Sequence, residues 1–361
     1  MTSTTERAVT YTAQQLRDAT GGFSDRNKID EGSFGIVFRG TLSTGVVVAI
    51  KVLKLERQQL DEERGAGKYS GVDSFRREVM VLGKYRHPNI VALLGHCIDD
   101  RAARPCLVYE FMEGASLKAR LQAGAGRQKL QHGERFDIAS DVARGLVFLH
   151  TMASPPIIHQ DIKSDNVLLG FALGSRRQVA KLADFGTVRI AEPLAGAGTR
   201  APTHVSTNTV VGTGPYMPPE YFQAGRVSEK TDTYAYGVVL LELLSGKPPV
   251  DSTSRELLSD AMGAAIEDPA RCLRPHLDPK AGSWDVRRAC KLATIADRCL
   301  AARMQHRCKA ADVVDEVDAL AGRRVRRRGN SGQPRPWWRG MLDWTSSSSA
   351  GTGTSASTRS T

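Results

Sequence analysis

The chain has 361 residues, 41% hydrophobic and 25% charged, ordinary globular proportions that suffice for one large domain or two lobes. No run of about 18 apolar residues occurs, so no membrane-spanning helix is expected. The net charge of +11 is uneven: residues 323–361 carry eight arginines against one aspartate, or +7, which leaves +4 for the rest (11 − 7).

The opening MTSTTERAVT has no apolar core and no signal-peptide pattern. Threonine at position 2 excludes N-myristoylation. Residues 1–22 read as a polar, loosely ordered extension, with YTAQQLRDATGGF giving a turn or two of amphipathic helix at a domain edge. From Phe23 the pattern tightens. IDEGSFGIVFRGTLSTGVVVAIKVL reads as strand, glycine turn, strand, a hairpin turn at Thr44-Gly45, and strand. The apolar run from Val46 to Leu53 suits a strand buried on both faces. Lys51 is the single charge in that run and asks for a reason.

Residues 56–71 read as an exposed charged loop. A helix follows, SFRREVMVLGKY, with Phe75, Val79 and Leu82 on one stripe and Glu78 beside it. RPCLVYEFM is another strand. Beyond Gly114 the texture turns helical. Ile138, Val142, Leu146 and Leu149 define a buried helix face, ended by Pro155 and Pro156. SEKTDTYAYGVVLLELLSG is a helix apolar nearly all round, closed by Gly246. Two more helices run through RRACKLATIADRCLAAR and KAADVVDEVDALAG. After Gly322 comes a basic stretch with tryptophans and then a Ser/Thr/Gly-rich, low-complexity end that reads as disordered. A small strand-rich half thus precedes a larger helical half, an α+β architecture with a natural cleft between. The six cysteines are scattered, with no zinc spacing, and read as buried thiols in a reducing compartment; a redox sensor is the sharper alternative, with nothing in the sequence to support it.

Five polar residues sit badly with bland packing: Lys51, Glu78, Asp161, Asn166 and Asp184. Each alone is compatible with an ordinary turn or surface contact. Their order and spacing are harder to dismiss. The glycine loop, VAIK, the helix glutamate, HQDIKSDN, DFG, PPE and DTYAYG follow one another as they do in a eukaryotic protein kinase, which the chain resembles from about Phe23 to Gly322. LLGHC, LVYEFMEGASL, GVVLLELLSGKPPVD and LDPKAGSW are similar to the receptor-like kinase, Pelle and interleukin-receptor-associated kinase group.

The resemblance implies a two-lobed kinase fold, with an N-lobe over about 23–112 and a C-lobe over about 113–322, and a tail over 323–361. It implies ATP and Mg2+ as cofactors and transfer of the γ-phosphate to protein serine or threonine. Lys51 would hold the α- and β-phosphates and Glu78 would keep Lys51 charged and aimed. Asp161 would accept the hydroxyl proton and Lys163 would neutralise the moving phosphoryl group. Asn166 and Asp184 would hold metal. The nucleotide would lie among Ile29, Asp30, Gly32, Ser33, Phe34, Gly35, Val37, Ala49 and Leu168, with Tyr109 as the gate and Glu110 and Met112 presenting backbone to the adenine edge. His159, Phe185, Leu82 and Leu93 match an apolar column linking the lobes. Asp232 would anchor the catalytic loop, and Glu220 and Arg307 would form a buried ion pair.

Three departures matter. Asp30 stands where the first loop glycine is usual, and Pro215 and Pro218 stand where glycine and alanine are usual. Gln160 replaces an arginine that would grip a phosphorylated activation segment. Ser206, Thr207, Thr209 and Thr213 are phosphorylation candidates, Thr213 more as a structural contact to the catalytic loop. The alternative to an active kinase is a pseudokinase scaffold that binds partners without transferring phosphate. A cytoplasmic setting, protein substrates and an upstream receptor or adaptor follow from the resemblance, with no specific nucleic acid. RRVRRR and the tryptophans after it leave open nuclear import, a weak contact with anionic membrane, or a merely solvated tail.

Overall fold

In the computed structural model, residues 8–32, 35–54, 71–98, 104–124, 129–171, 177–190, 205–206 and 212–323 are described. The strand-rich half forms a sheet of six strands: β1 (Val9–Thr10), β2 (Lys28–Glu31), β3 (Gly35–Thr41), β4 (Val47–Leu53), β5 (Leu93–Cys97) and β6 (Cys106–Glu110). Their spatial order is β1-β5-β6-β4-β3-β2. β3 and β4 join through a tight turn in which Gly45, at φ +83°, donates its N–H to Leu42. The alternation in β4 sorts the strand between two faces. Val48 and Ile50 are fully buried on one, while Lys51, opposite Val37 in the register, serves the other.

The outer face of this sheet carries the short amphipathic helix expected in YTAQQLRDATGGF and corrects the loose order expected of the stretch around it. β1 pairs in parallel with β5, and α1 (Ala13–Ala19) lies behind it. Thr12 starts this helix with a reciprocal cap: Gln15 N donates to Thr12 Oγ1 (3.2 Å) and Thr12 N to Gln15 Oε1 (2.8 Å). Leu16, fully buried, packs with Val48, Ile50, Cys97, Cys106 and Val108. Burying one leucine is worth about 1.5–3 kcal/mol, enough to order a helix too short to stand alone.

On the other face lies α2 (Gly71–Lys84), which buries Phe75, Glu78 and Leu82, with Val79 only half-buried. Apart from Gly71, the charged stretch 56–71 lies outside the described residues, as does the segment 191–204 with Thr207 and Thr209.

The helical half is built on α3 (Leu117–Leu121), α4 (His132–Val147), α5 (Pro219–Ala224), α6 (Glu229–Ser245), the short α7 (Leu258–Ala261), α8 (Gly263–Glu267) and α9 (Pro269–Cys272), then α10 (Val286–Leu300) and α11 (Ala310–Leu320). Every residue of α6 from Thr231 to Ser245 is buried, with α10 packed on it and α11 on α4. The small strands β7 (Ile157–Ile158), β8 (Val167–Phe171), β9 (Gln178–Leu182), β10 (Arg189–Ile190), β11 (Val205–Ser206) and β12 (Arg226–Val227) form three hairpin-like pairs, β7 with β10, β8 with β9, and β11 with β12. The first two pairs hold residues 159–166 in the cleft below the six-stranded sheet. Residues up to Ala321 form one compact unit, and Gly322–Thr361 form a second, of which only Gly322 and Arg323 are described. No helix among the described residues is long and apolar enough to cross a membrane.

Candidate active site

Lys51 in β4 meets two carboxylates. Its Nζ lies 2.8 Å from Asp184 Oδ1 and 3.2 Å from Glu78 Oε2. Burial works against the ammonium, but Asp184 and Glu78 outweigh it and hold the amine well above its ordinary value. Glu78 is fully buried. Burial lifts its carboxyl above the ordinary range, with Lys51 pulling the other way. Two further donors converge on it: Tyr109 Oη donates to Oε2 and Phe185 N to Oε1, each at 2.8 Å. Three donors on one acceptor-only group fix both the α2 face and the DFG turn to the sheet. In that turn Asp184 adopts a left-handed backbone, φ 64° and ψ 74°. A Cβ on Gly186 would collide with Ser74 Oγ of α2, so only glycine lets helix and turn approach this closely.

Asp232 at the buried start of α6 organises the loop below. Its Oδ2 accepts the N–H of His159 and Oδ1 that of Gln160, both at 2.8 Å, and His150 Nε2 adds a third contact at 2.8 Å. Burial pushes the His159 imidazole down, and the neutral ring donates from Nε2 to Ala183 O (3.1 Å). It stacks edge-on against Phe185 at 4.7 Å, while Leu82 and Leu93 are likewise buried. Gln160 takes φ +70°, a conformation costing a non-glycine residue roughly 1–2 kcal/mol. Its side-chain Oε1 and Nε2 are buried with no hydrogen-bond partner among the described residues, beside a small cavity bounded also by Thr213, Tyr216, Met217 and Thr231.

Asp161 is the centre of a polar cluster. Lys163 Nζ lies 2.6 Å from its Oδ2, and Thr213 Oγ1 donates to its Oδ1 at 2.9 Å. Lys163 Nζ also donates to Thr213 Oγ1 (3.0 Å). Asn166 Nδ2 donates to Asp161 Oδ2 (2.9 Å) and to Asp161 O (2.8 Å). Thr213 therefore ties the segment before α5 to the loop through the carboxylate itself.

Around the cleft, Val37 stands opposite Lys51, and Ala49 opposite both Arg39 and Tyr109. Leu168 is half-buried on the floor. Met112 packs against Gly170 of β8, where a Cβ would meet its Cε at 2.8 Å. Ile29 and Asp30 are exposed. The Asp30 carboxylate accepts the N–H of Glu31 (2.8 Å), so it is partly engaged within its own turn. Gly32 donates to Gly35 O (2.9 Å), and a Cβ on Gly35 would lie 2.5 Å from Val52 O. Ser33 and Phe34 lie outside the described residues.

Sequence reasoning missed several partners. Lys181 of β9 clasps the Glu110 carboxylate at 2.6 and 2.8 Å, and Ala92 N donates to the same group (2.7 Å), so the Glu110 side chain turns away from the cleft. Lys54 links Glu31 (2.7 Å) to Gly32 O (3.2 Å). Glu242 of α6 accepts from Ser164 (2.7 Å) and Tyr216 (2.8 Å), whose oxygens are themselves 3.1 Å apart. A lone glutamate in LLELL carries the same signal as the lone lysine in VVAIKVL and could have been found by it. The Glu220–Arg307 pair, by contrast, is the one expected: Arg307 holds Glu220 at 2.6 and 3.1 Å.

A two-lobed frame, a buried lysine–glutamate pair and a polar loop anchored on a buried helix define the class. Residues 23–317 match the protein kinase domain. The chain belongs to the protein kinase family, in its receptor-like group. It is 40% identical over 242 residues to the proline-rich receptor-like protein kinase PERK2 of Arabidopsis thaliana, covering 67% of this chain and 30% of that protein. PERK8 of the same plant is 35% identical over 319 residues, 86% of this chain and 43% of the relative. The wall-associated receptor kinase-like 20 of that plant is 33% identical over 327 residues, 88% and 46%. The chain thus spans less than half the length of these relatives.

Proposed function

We propose that this chain is a serine/threonine protein kinase that transfers the γ-phosphate of ATP to protein hydroxyls with Mg2+. The observation that carries this reading is the Asp161 carboxylate, held by Lys163, Thr213 and Asn166 in the floor of the cleft. A carboxylate fixed in this way has one oxygen pair to orient an attacking hydroxyl and receive its proton. Lys163 beside it offsets the charge of the phosphoryl group in transit, and Lys51, kept cationic, steadies the phosphates from above. Glu78 and Tyr109 position Lys51. The Lys181–Glu110 clasp fixes the strand end whose backbone, with that of Met112, meets the adenine edge.

The donor set fits a hard divalent cation. Asn166 uses Nδ2 on Asp161, which leaves its Oδ1 without a hydrogen bond among the described residues, and Asp184 is an acceptor-only carboxylate still in part exposed. No cluster of three or more His, Cys, Asp or Glu among the described residues could cage a metal. Two oxygen ligands completed by phosphate are the pattern of magnesium. When bound, the ion neutralises charge on the phosphates.

Gln160 supports a particular mode of control. An amide cannot supply the charge with which arginine grips a phosphate, so loop phosphorylation is not the principal switch, and lobe closure, a partner or another phosphosite sets activity. Substrates are proteins, the setting is cytoplasmic, and an upstream receptor or adaptor delivers the signal. The basic tail adds a weak contact with anionic membrane, and removal of residues 323–361 without change of location would overturn that part.

The test is Mg2+-dependent phosphate incorporation into a generic protein substrate by the wild-type chain, Asp161→Asn and Lys51→Met. Each variant should lose at least about two orders of magnitude, the usual worth of a positioned acid–base group. Equal signal from wild type and Asp161→Asn would return the chain to the scaffold reading. If phosphatase treatment and alanine at Ser206, Thr207 and Thr209 both abolished activity, the Gln160 argument would fail.

A further inference from the structure

The six cysteines are free thiols, but they are not equivalent. Cys97, Cys106 and Cys299 are buried, and Cys272, Cys290 and Cys308 are only half-buried, which corrects the expectation of uniformly buried thiols. Two of them touch. Cys299, in the last turn of α10, and Cys308, just before α11, have sulfurs 3.5 Å apart. The contact is built by the backbone, since Cys308 N donates to Arg298 O (3.2 Å). We propose that Cys299 and Cys308 form an oxidisable dithiol that peroxide converts to an intrachain disulfide.

The pair has the asymmetry such a reaction needs. Cys308 is partly open to solvent, whereas Cys299 is fully buried. The hydrogen bond from Cys299 lowers the Cys308 thiol, and the nearby Arg298 guanidinium lowers it further. The same bond, with burial, raises Cys299. Cys308 is thus the nucleophile and Cys299 the resolving thiol. The Cys308 thiolate attacks one oxygen of hydrogen peroxide. The O–O bond breaks, hydroxide leaves and takes up a proton, and Cys308 becomes a sulfenic acid. Cys299, losing its proton, then attacks the Cys308 sulfur and expels water. Two thiols lose two electrons in all, and one peroxide becomes two waters.

The consequence lies in what the loop carries. Between the two cysteines, Arg307 binds Glu220 through both terminal nitrogens, and Lys230 O and Ala301 O as well. Disulfide closure of a loop of about ten residues lowers its opened population by about two orders of magnitude. Oxidation would therefore clamp the segment that secures Glu220 at the foot of α5.

The test uses the intact chain and does not depend on kinase activity. The chain is titrated with hydrogen peroxide, blocked with an alkylating agent, and digested with trypsin without reductant. Cleavage after Arg298, Arg303, Arg307 and Lys309 puts the two cysteines on different peptides. These should run joined and separate on reduction. Cys308 should lose its alkylatable thiol at least about tenfold faster than Cys290, whose own thiol burial pushes up, because the thiolate fraction falls about tenfold per unit of pKa. In Cys299→Ser, Cys308 should proceed to sulfinic acid, and in Cys308→Ser, Cys299 should stay alkylatable. Should Cys290 or Cys272 oxidise first while the Cys299 and Cys308 peptides stay separate, the proposal is overturned.

Discussion

Replacing Gln160 by methionine should make the protein more stable. The glutamine amide is buried, and neither its oxygen nor its nitrogen has a partner among the described residues. A buried polar group left unsatisfied costs about 1–3 kcal/mol. Methionine is close to glutamine in volume and length, so it fills the same space without opening a void. The left-handed backbone at φ +70° is equally uncomfortable for both residues, so that cost cancels. The expected gain is therefore about 2 kcal/mol, roughly 3 °C in Tm for a domain of this size. The assay is thermal unfolding of the two proteins side by side, with urea unfolding as a second measure. Asp161, Lys163 and Thr213 keep their mutual contacts, so phosphate transfer should survive. A fall in Tm of similar size would refute the reasoning, since it would mean that the amide is satisfied through water in the adjoining cavity.

Glu242 gives a pH prediction. Burial pushes its carboxyl up to about 7 from an ordinary 4.5. The geometry agrees: two hydroxyls have only two hydrogens for three close oxygen contacts, and a protonated carboxyl supplies the third. Its stabilising effect is complete below about pH 4.5 and lost as pH rises toward 7, amounting to about 3 kcal/mol across the window. Glu242→Gln should flatten that slope in urea unfolding at a series of pH values, and parallel profiles for the two proteins would count against it. Leu16→Ala should cost about 2–5 kcal/mol, the range for a buried leucine, read as a lower urea midpoint. A loss under about 0.5 kcal/mol, the size expected at a surface site, would mean that α1 contributes little.

Much of the cleft was legible because charge interrupts apolar runs there. Lys51 and Glu78 stood out in this way, as did the polar knot around Asp161, and the structure brings Glu78 and Asp184 each within hydrogen-bond range of Lys51. Other partners left no such trace. Lys181 alternates with apolar neighbours in β9 as any solvent-facing strand residue does, and only the approach of β6 gives it a role. Thr213 became visible as a contact through its place in a glycine-rich segment, but its sharing of Asp161 with Lys163 is a tertiary fact. The short helix was expected, but its firm place was not, because two-residue β1 leaves no pattern of its own and the buried face of α1 rests on one residue, Leu16, in seven. Its order comes from the sheet it covers, not from its own periodicity.

That N-terminal strap has a mechanical meaning. β1 runs parallel to β5, with Val9 opposite Gly95, Thr10 opposite His96, and Tyr11 N donating to His96 O. A pull on the chain ahead of Val9 would load those contacts in shear along the strands rather than peel them one by one. β5 pairs directly with β6, Gly95 opposite Val108 and His96 opposite Leu107, so the force would arrive in the middle of β6, just ahead of Tyr109 and Glu110. The strap is a handle on the β5 edge of the sheet, and tension applied there would be carried strand by strand into β6.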